Sequence, residues 1–298
     1  MKDSYPSISL ARFCRLLGVT RQAYYQYFWC AQDTSTEHQL LLDQVRQIRQ
    51  EHPVIGARKL LCMLQPFVLE HQIKIGRDGL FDLLAAHQLL VRKRRRKTIT
   101  TQSRHWFKRY PNLTRDWSPC MPQQLWVSDI TYVPVKNGFL YLSLVTDAYS
   151  HKIMGYSIAD TLEAIHTTKA LTMALNQSGK PYKLIHHSDR GIQYCCSEYV
   201  HLLKQNDIKI SMTETGDPLE NPVAERINGI IKNEYLKHYP ITDQLSAMQL
   251  LEHTVFKYNE QRPHQSINML TPEKVHQLKL PVNKKWGKKR LLTNIVNP

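Results

Sequence analysis

From Leu125 onward the chain runs in short apolar segments separated by turn residues. LWVSDITYVPV is rich in β-branched and aromatic residues, and Lys136-Asn137-Gly138 makes a hairpin turn. FLYLSLVTD then alternates, with Leu140, Leu142 and Leu144 on one face, and KIMGYSI follows as a third strand. The period next lengthens to that of a helix from about Thr161 to Gln177, where Ala164, Leu171 and Leu175 share a face. The strand YKLIHHSD, a helix over Ser197 to Asn206 and the short strand IKISM complete this region.

The N-terminal third has a helical period instead. In ISLARFCRLLGVTRQAYYQYFW, Ile8, Ala11, Leu16 and Leu17 recur at roughly helical spacing, Gly18 breaks the pattern, and Thr20 can cap a second helix, RQAYYQYF. Helix, glycine turn, second helix is the layout of a helix-turn-helix, although many such hairpins bind no DNA. A second unit follows: HQLLLDQVRQIRQEHP stopped by Pro53, GARKLLCMLQ ended by Pro66, and RDGLFDLLAAHQLL leading into the cationic run Arg92, Lys93, Arg94, Arg95, Arg96 and Lys97. The expected fold class is therefore α/β: a ribonuclease-H-like mixed five-stranded sheet flanked by helices, preceded by all-α helix-turn-helix modules. The expected divisions are a helix-turn-helix-like segment over 1–36, a second helix-turn-helix module with its basic tail over 37–100, and a linker over 101–122. A catalytic core with a C-terminal helix over 123–281 and a basic tail over 282–298 follow.

Charge narrows the partner. The chain carries 40 Lys and Arg against 25 Asp and Glu in 298 residues, a net charge of +15, which a polyanion such as nucleic acid would balance. Six consecutive cations at Arg92–Lys97 repel unless phosphates or solvent surround them, so phosphate contact is expected there; a solvated linker is the plain alternative. No apolar run approaches the ~18–20 residues of a membrane span and no signal peptide opens the chain, so the expected location is the cytoplasm, at the nucleoid, with no membrane partner. The six cysteines form no CxxC pair and read as reduced, mostly buried thiols.

Three carboxylates stand out. Asp129 lies mid-strand between Trp126, Val127, Ile130 and Tyr132, where an unpaired charge would cost on the order of several kcal/mol to desolvate, so a cation must offset it. A salt bridge would also do this. Asp189 ends a sheet strand, where ligand sites gather. Glu225 lies in NPVAERINGIIKNEYL, where Asn221 can cap and Pro222 can open a helix. At ~100° per residue Val223, Ile227 and Ile230 fall opposite Glu225, and Lys232 returns to within about 20° of it, so one face offers a carboxylate and an ammonium. Asp147 ends a strand and competes with Asp129. His186 and His187 are neighbours on a strand and point to opposite faces, so at most one approaches the acids. Ser188 has no nucleophile-elbow context.

WVSDITYV, IHHSDRGIQY and NPVAERINGIIKNEYL, with 35 residues between the second and third acids, resemble the DDE integrase core of insertion-sequence transposases. The similarity is to the large-frame (OrfB) product of the insertion-sequence-three family, whose tail YNEQRPHQSINMLTPEKV resembles and whose upstream helix-turn-helix HPVIGARKL resembles; it covers about Glu37 to Leu280. Glu220-Asn221 departs from the family's Asp-Asn. The resemblance implies a DNA transposase in which Asp129, Asp189 and Glu225 hold two Mg²⁺ ions, with Mn²⁺ as a substitute, for strand cleavage and strand transfer. It further implies Lys232 as a contact to transposon-end DNA, with Arg21, Arg77 and the run Arg92–Lys97 as further DNA contacts. Its implied partners are double-stranded DNA (terminal inverted repeats and target), further copies of the chain, and an upstream-frame (OrfA) protein. Two other readings stay open: a catalytically silent, transposase-derived DNA-binding protein, and a ribonuclease-H-like nuclease that cuts without joining.

Overall fold

The computed structural model describes residues 9–91, 108–115, 117–136, 138–179, 183–214 and 220–281, with the side chains of all of these except 27–35. Its centre is a five-stranded mixed sheet of β1 (Leu125–Val135), β2 (Gly138–Asp147), β3 (Ile153–Ala159), β4 (Ile185–Ser188) and β5 (Lys209–Met212), in the order β3-β2-β1-β4-β5. The first three strands form an antiparallel meander, and β4 and β5 add in parallel to β1. This is the ribonuclease-H-like arrangement that the element order predicts. Helices α5 (Ala164–Ser178), α6 (Ile192–Cys195) and α7 (Ser197–Gln205) cover one face, with Trp126, Leu171, Tyr199 and Leu203 in its core. On the other face α8 (Pro222–Ile230) and α9 (Gln244–Phe256) pack on Leu140, Leu142 and Leu144. The helix α10 (Pro272–Leu278) closes the described chain.

One contact on the first face is tighter than any side chain allows. A Cβ added to Gly155 would lie 2.0 Å from the Ala170 carbonyl oxygen and 2.8 Å from the Ala174 nitrogen, so β3 and α5 meet backbone to backbone. Gly155→Ala is expected to destabilise the fold by about 2–5 kcal/mol, because neither backbone can yield cheaply. A urea melt within about 0.5 kcal/mol of wild type would refute this packing.

The N-terminal part holds α1 (Leu10–Leu16), α2 (Arg21–Glu51), α3 (Ala57–Glu70) and α4 (Arg77–Ala86). Between α1 and α2, Gly18 takes φ +68°, and the Thr20 hydroxyl accepts from the Ala23 N–H at 3.0 Å as the cap. Two expectations are corrected. The face of α1 is Phe13 and Cys14, not Ala11, Leu16 and Leu17: Leu16 is 71% exposed and the Phe13 ring meets Tyr24 edge-on. Ile8 lies outside the described residues. Pro66 does not end its helix, since α3 continues to Glu70. The ring is on the exposed side while Leu60, Leu64 and Val68 are buried, and burial of that stripe outweighs the ~3 kcal/mol of an interior proline. In addition α2 is a single 31-residue helix, running from the first hairpin into the core of the second unit around Leu41, Leu42 and Val45.

The segment expected as a linker is partly structured. Met212 donates to the Pro111 carbonyl at 3.4 Å and Leu113 donates to Ser211 Oγ at 2.9 Å, so this stretch shields the edge strand β5. The run Arg92–Lys97 and the tail from 282 lie outside the described residues.

The N-terminal helices dock on the segments that follow α8 and α9. Glu51 pairs with Lys257, Tyr239 Oη donates to the Gln50 carbonyl at 3.0 Å, and buried His52 shares a 2.7 Å hydrogen bond with Tyr235. Burial, then Lys257 and Arg262, push the His52 imidazole down to about 4, and burial pushes His186 down to about 3. Both stay neutral in the fold but ionise near 6.5 when it unfolds. The unfolded chain therefore binds more protons, and stability is full above about pH 6.5 and lost as pH falls toward 4, at ~1.4 kcal/mol per pH unit per proton. Asp129, whose carboxyl is raised, offsets about one of these protons, while His264, held well below its usual value by burial, adds to them. Thermal melts at pH 5 should lie several degrees below those at pH 7; a flat profile would contradict the neutral-histidine assignment.

Candidate active site

The sheet places the first two acids side by side. The parallel register pairs Trp126 with His186 and Val127 with His187, and two residues further along each strand come Asp129 and Asp189. Strands ~4.8 Å apart and a two-residue pleat direct both side chains to the face that α8 covers. Val127 packs there against Ala224 of α8, one residue before Glu225. The α8 start is fixed from two sides. Pro222 opens it, and Asn221 sits at the cap position without capping: its amide crosses to the Ser128 carbonyl at 2.9 Å, tying the helix to β1 beside Asp129.

Asp129 is partly buried, and its carboxyl is raised to about 7 by burial first, then by the charge of Asp189, and, more weakly, by that of Glu225. Two hydrogen bonds oppose the rise, the larger from the Asn228 amide, which donates to Asp129 Oδ2 at 2.9 Å. Asp189 Oδ1 accepts the Gly191 N–H at 2.9 Å, and a Cβ on Gly191 would lie 3.0 Å from that oxygen, which suits a glycine at the turn. Glu225 is exposed on α8, as the helix arithmetic predicts. Among the described residues no group of three His, Cys, Asp or Glu side chains is set to hold a metal ion as it stands.

Lys232 departs from the sequence arithmetic. The α-helix ends at Ile230 and Ile231–Tyr235 form a π-helical turn, which has more residues per turn and so turns less than 100° per residue. Lys232 is half-buried there, and burial, then Lys237, lower its ammonium from the usual lysine value. Arg21 and Arg77 are exposed first residues of α2 and α4, and Arg77 pairs with Asp78 at 2.8 Å.

The competing residues have other occupations. Asp147 is fully buried and accepts from the N–H groups of Gln123, Tyr149 and Ser150 and from Ser150 Oγ, at 2.6–3.1 Å, which is the strand-exit turn its DAYS setting suggests. His186 faces the α7 side and bonds Ser128 Oγ and Tyr199 Oη at 2.8 and 2.9 Å, while His187 bonds Ser211 Oγ and the Glu220 carbonyl at 2.8 and 3.1 Å. Cys195 is buried, Cys196 partly so, and Cys120 exposed. Sequence reasoning missed Asn228, whose position three residues after Glu225 on one helix face was the available signal, and Arg262, which carried none.

The comparisons with known proteins come down on one family. The integrase core domain matches residues 119–218, and a second integrase core domain description matches residues 206–272. An IS600 insertion-element 31 kDa protein of Shigella sonnei is 35% identical, over 89% of this chain and 99% of that protein. The transposase InsF for insertion sequence IS3A of Escherichia coli K12 is 28% identical, over 89% of this chain and 93% of its own. The chain belongs to the IS3 family of transposases. Among solved structures, the HTLV-2 integrase catalytic core domain in complex with magnesium aligns at 23% identity and TM-score 0.43, over 52% of this chain and 97% of that one. The two integrase core matches together span the sheet, α8 and the acids, and membership of the family makes this chain a polynucleotidyl transferase by class. No helix among its described residues is long and apolar enough to cross a membrane.

Proposed function

We propose that this IS3-family member is a metal-dependent DNA transposase, cutting strands at the ends of its element and joining them to target DNA, with Asp129, Asp189 and Glu225 as its catalytic and metal-holding residues. The observation that carries this reading is the placement of Asp129, within β1, beside Asp189, just past the end of the adjacent parallel β4, with Asp189 first and Glu225 of α8 more weakly adding to the burial that raises the Asp129 carboxyl. Three hard oxygen donors fit Mg²⁺, or Mn²⁺ in its place, and the buried Asn228 Oδ1, which lacks a partner, adds an acceptor for a coordinated water. When bound, two such ions supply activation of water and of the freed 3′-hydroxyl for in-line attack at phosphorus.

The chain's own residues do the rest. Asn228 fixes the rotamer of Asp129, and the Gly191 N–H fixes that of Asp189, so both carboxylates are oriented before DNA arrives. Asn221 holds α8, which carries Glu225, to β1. Lys232 meets the backbone of the transposon end, and the helix-turn-helix units, with Arg21, Arg77 and the run Arg92–Lys97, bind the inverted repeats. Copies of the chain pair across the two ends, and the upstream-frame product supplies a further DNA-binding domain.

The test is a strand-joining assay with labelled element ends, Mg²⁺ and the full chain. Wild type yields joined product, and Asp189→Asn loses it while still binding the ends. Joining by Asp189→Asn at the wild-type rate would sink the proposal; cut but unjoined ends would point to a nuclease, and binding alone to a silent derivative.

A further inference from the structure

Past the end of β4 the β1–β2 hairpin runs on as a two-stranded arm. Among the described residues β4 pairs with β1 from Leu125 to Val127 and stops at Ser188, whereas β1 and β2 stay paired out to Val135 and Gly138. Asp129 stands at the root of this arm, and Asp189 follows the end of β4 beside it. Side chains alternate along the arm. Val133, Leu140 and Leu142 are buried on the α8 and α9 face. The opposite face carries Ile130, half-buried against the α6 and α7 core, and then Tyr132, Tyr141 and Phe139.

These rings are more exposed than hairpin packing asks. Tyr132 and Tyr141 are a cross-strand pair with ring centroids 5.1 Å apart, which accounts for their presence. Phe139 faces Pro134 across the strands and meets Tyr132 edge-on, at 6.4 Å and 90°. It is nonetheless 59% exposed, and Tyr132 is 37% exposed. An edge-on pair covers at most one face of either ring, so an aromatic face stays open to the solvent. The patch belongs to the end of the sheet that holds the acids. Leu162, three residues past the Ala159 partner of Tyr141, is exposed, and its carbonyl accepts from the Gln193 amide at 3.0 Å, in the turn that Asp189 opens.

Charge and position point to one occupant. From Ile130 to Thr146 the sequence has a single charged residue, Lys136, which is exposed at the turn, so no acid on the arm repels a polyanion. Tyr132 is three residues from Asp129, about 10 Å along the strand, or about three nucleotides of duplex rise. The rings lie on the face opposite to Asp129, so a base that reaches them has left its duplex and crossed the β1 edge. We propose that Phe139 and Tyr132 form a stacking platform for one unpaired base of the DNA strand, close to the reacting phosphodiester. Every base offers a π face to such rings, so the platform holds the strand without reading its sequence. This rests on the transposase reading above and gives the hairpin arm a part in opening the DNA at the site.

The experiment uses the full chain as wild type, Phe139→Leu, Tyr132→Leu, Phe139→Tyr and Tyr132→Phe. The probes are element-end duplexes in which 2-aminopurine replaces one base at a time within about three nucleotides of the cleaved bond. Wild type should change the fluorescence at one position, as a base leaves the duplex and stacks on a ring. Each leucine variant should abolish that change, weaken end binding by about 5- to 150-fold and lower joining in parallel. The slope of log affinity against log salt should not move, because no phosphate contact is lost. Phe139→Tyr and Tyr132→Phe should restore all three. If wild type binds and joins while the leucine variants keep its fluorescence change and affinity, the platform is wrong and the transposase reading stands. A salt slope that falls with affinity would overturn it in favour of lost phosphate contacts. A defect confined to Tyr132→Leu and following a lowered melt would overturn it in favour of a hairpin strut, since exposed Phe139→Leu should melt with wild type. Sedimentation of Phe139→Leu as a smaller species than DNA-free wild type, with the fluorescence change kept, would assign the patch to a second copy of the chain instead. If wild type neither binds nor joins, the transposase reading falls and the platform with it.

Discussion

Asp129→Asn is expected to abolish strand joining while making the metal-free protein more stable. The activity side follows from the proposed role of Asp129: loss of one member of a metal-holding carboxylate set lowers turnover by at least about a thousandfold. The stability side follows from the site itself. Burial and the charges of Asp189 and Glu225 raise the Asp129 carboxyl to about 7, so the folded state holds its proton more tightly than the unfolded chain does. Such a group contributes stability when protonated and loses it as pH rises from about 4 through about 7. At pH 8 the wild type carries the full penalty, and the neutral amide, which can still accept from Asn228, carries none. The expected gain is about 1–3 kcal/mol, or roughly 3–8 °C in the melt. Mg²⁺ should then raise the wild-type melt and leave that of the variant unmoved, because only the wild type gains a bound ion on folding. A variant that melts below wild type in EDTA at pH 8 would show that the carboxylate is compensated by something else.

The second large effect lies about the buried guanidinium. Arg262→Met should cost about 3–5 kcal/mol, as Glu234 then keeps a charge in a partly buried place with no cation to pair it. The loss extends beyond the pair, since the guanidinium also sits 5.9 Å from the Tyr258 ring and touches His264. Adding Glu234→Met should recover most of the loss, because two apolar side chains leave no orphaned charge. Urea melts of the two single variants and the double complete the cycle. Additive losses would mean that the two groups act independently, against the geometry.

Much of the sheet was legible because its signals are local. Alternation along FLYLSLVTD, the Asn-Gly turn and the switch to a helical period after Thr161 each depend on neighbours in sequence, and the structure places strands and helices within a few residues of those readings. The helical end was harder. Phe13 and Cys14 rather than Leu16 and Leu17 face inward because a seven-residue helix buries whichever stripe meets Tyr24, and the period alone cannot choose. Pro66 and the unbroken α2 show burial overriding a local stop signal. The π turn at Ile231–Tyr235 has no sequence period of its own, so the azimuth of Lys232 was not available from 100° steps.

By itself the sequence determined the elements, the basic character, the family and three acids worth betting on, since propensity, period and motif spacing are properties of the chain taken in order. It determined Glu225's exposure too, because a helix face is a local repeat. Only the tertiary structure decided that Asp147 is consumed by its own turn, that Asn228 rather than a capping group steadies Asp129, and that Arg262 meets Glu234 28 residues away. These outcomes depend on which groups compete for one donor or one charge across space, and a burial cost that decides such a competition exists only once the strands have closed on their helices.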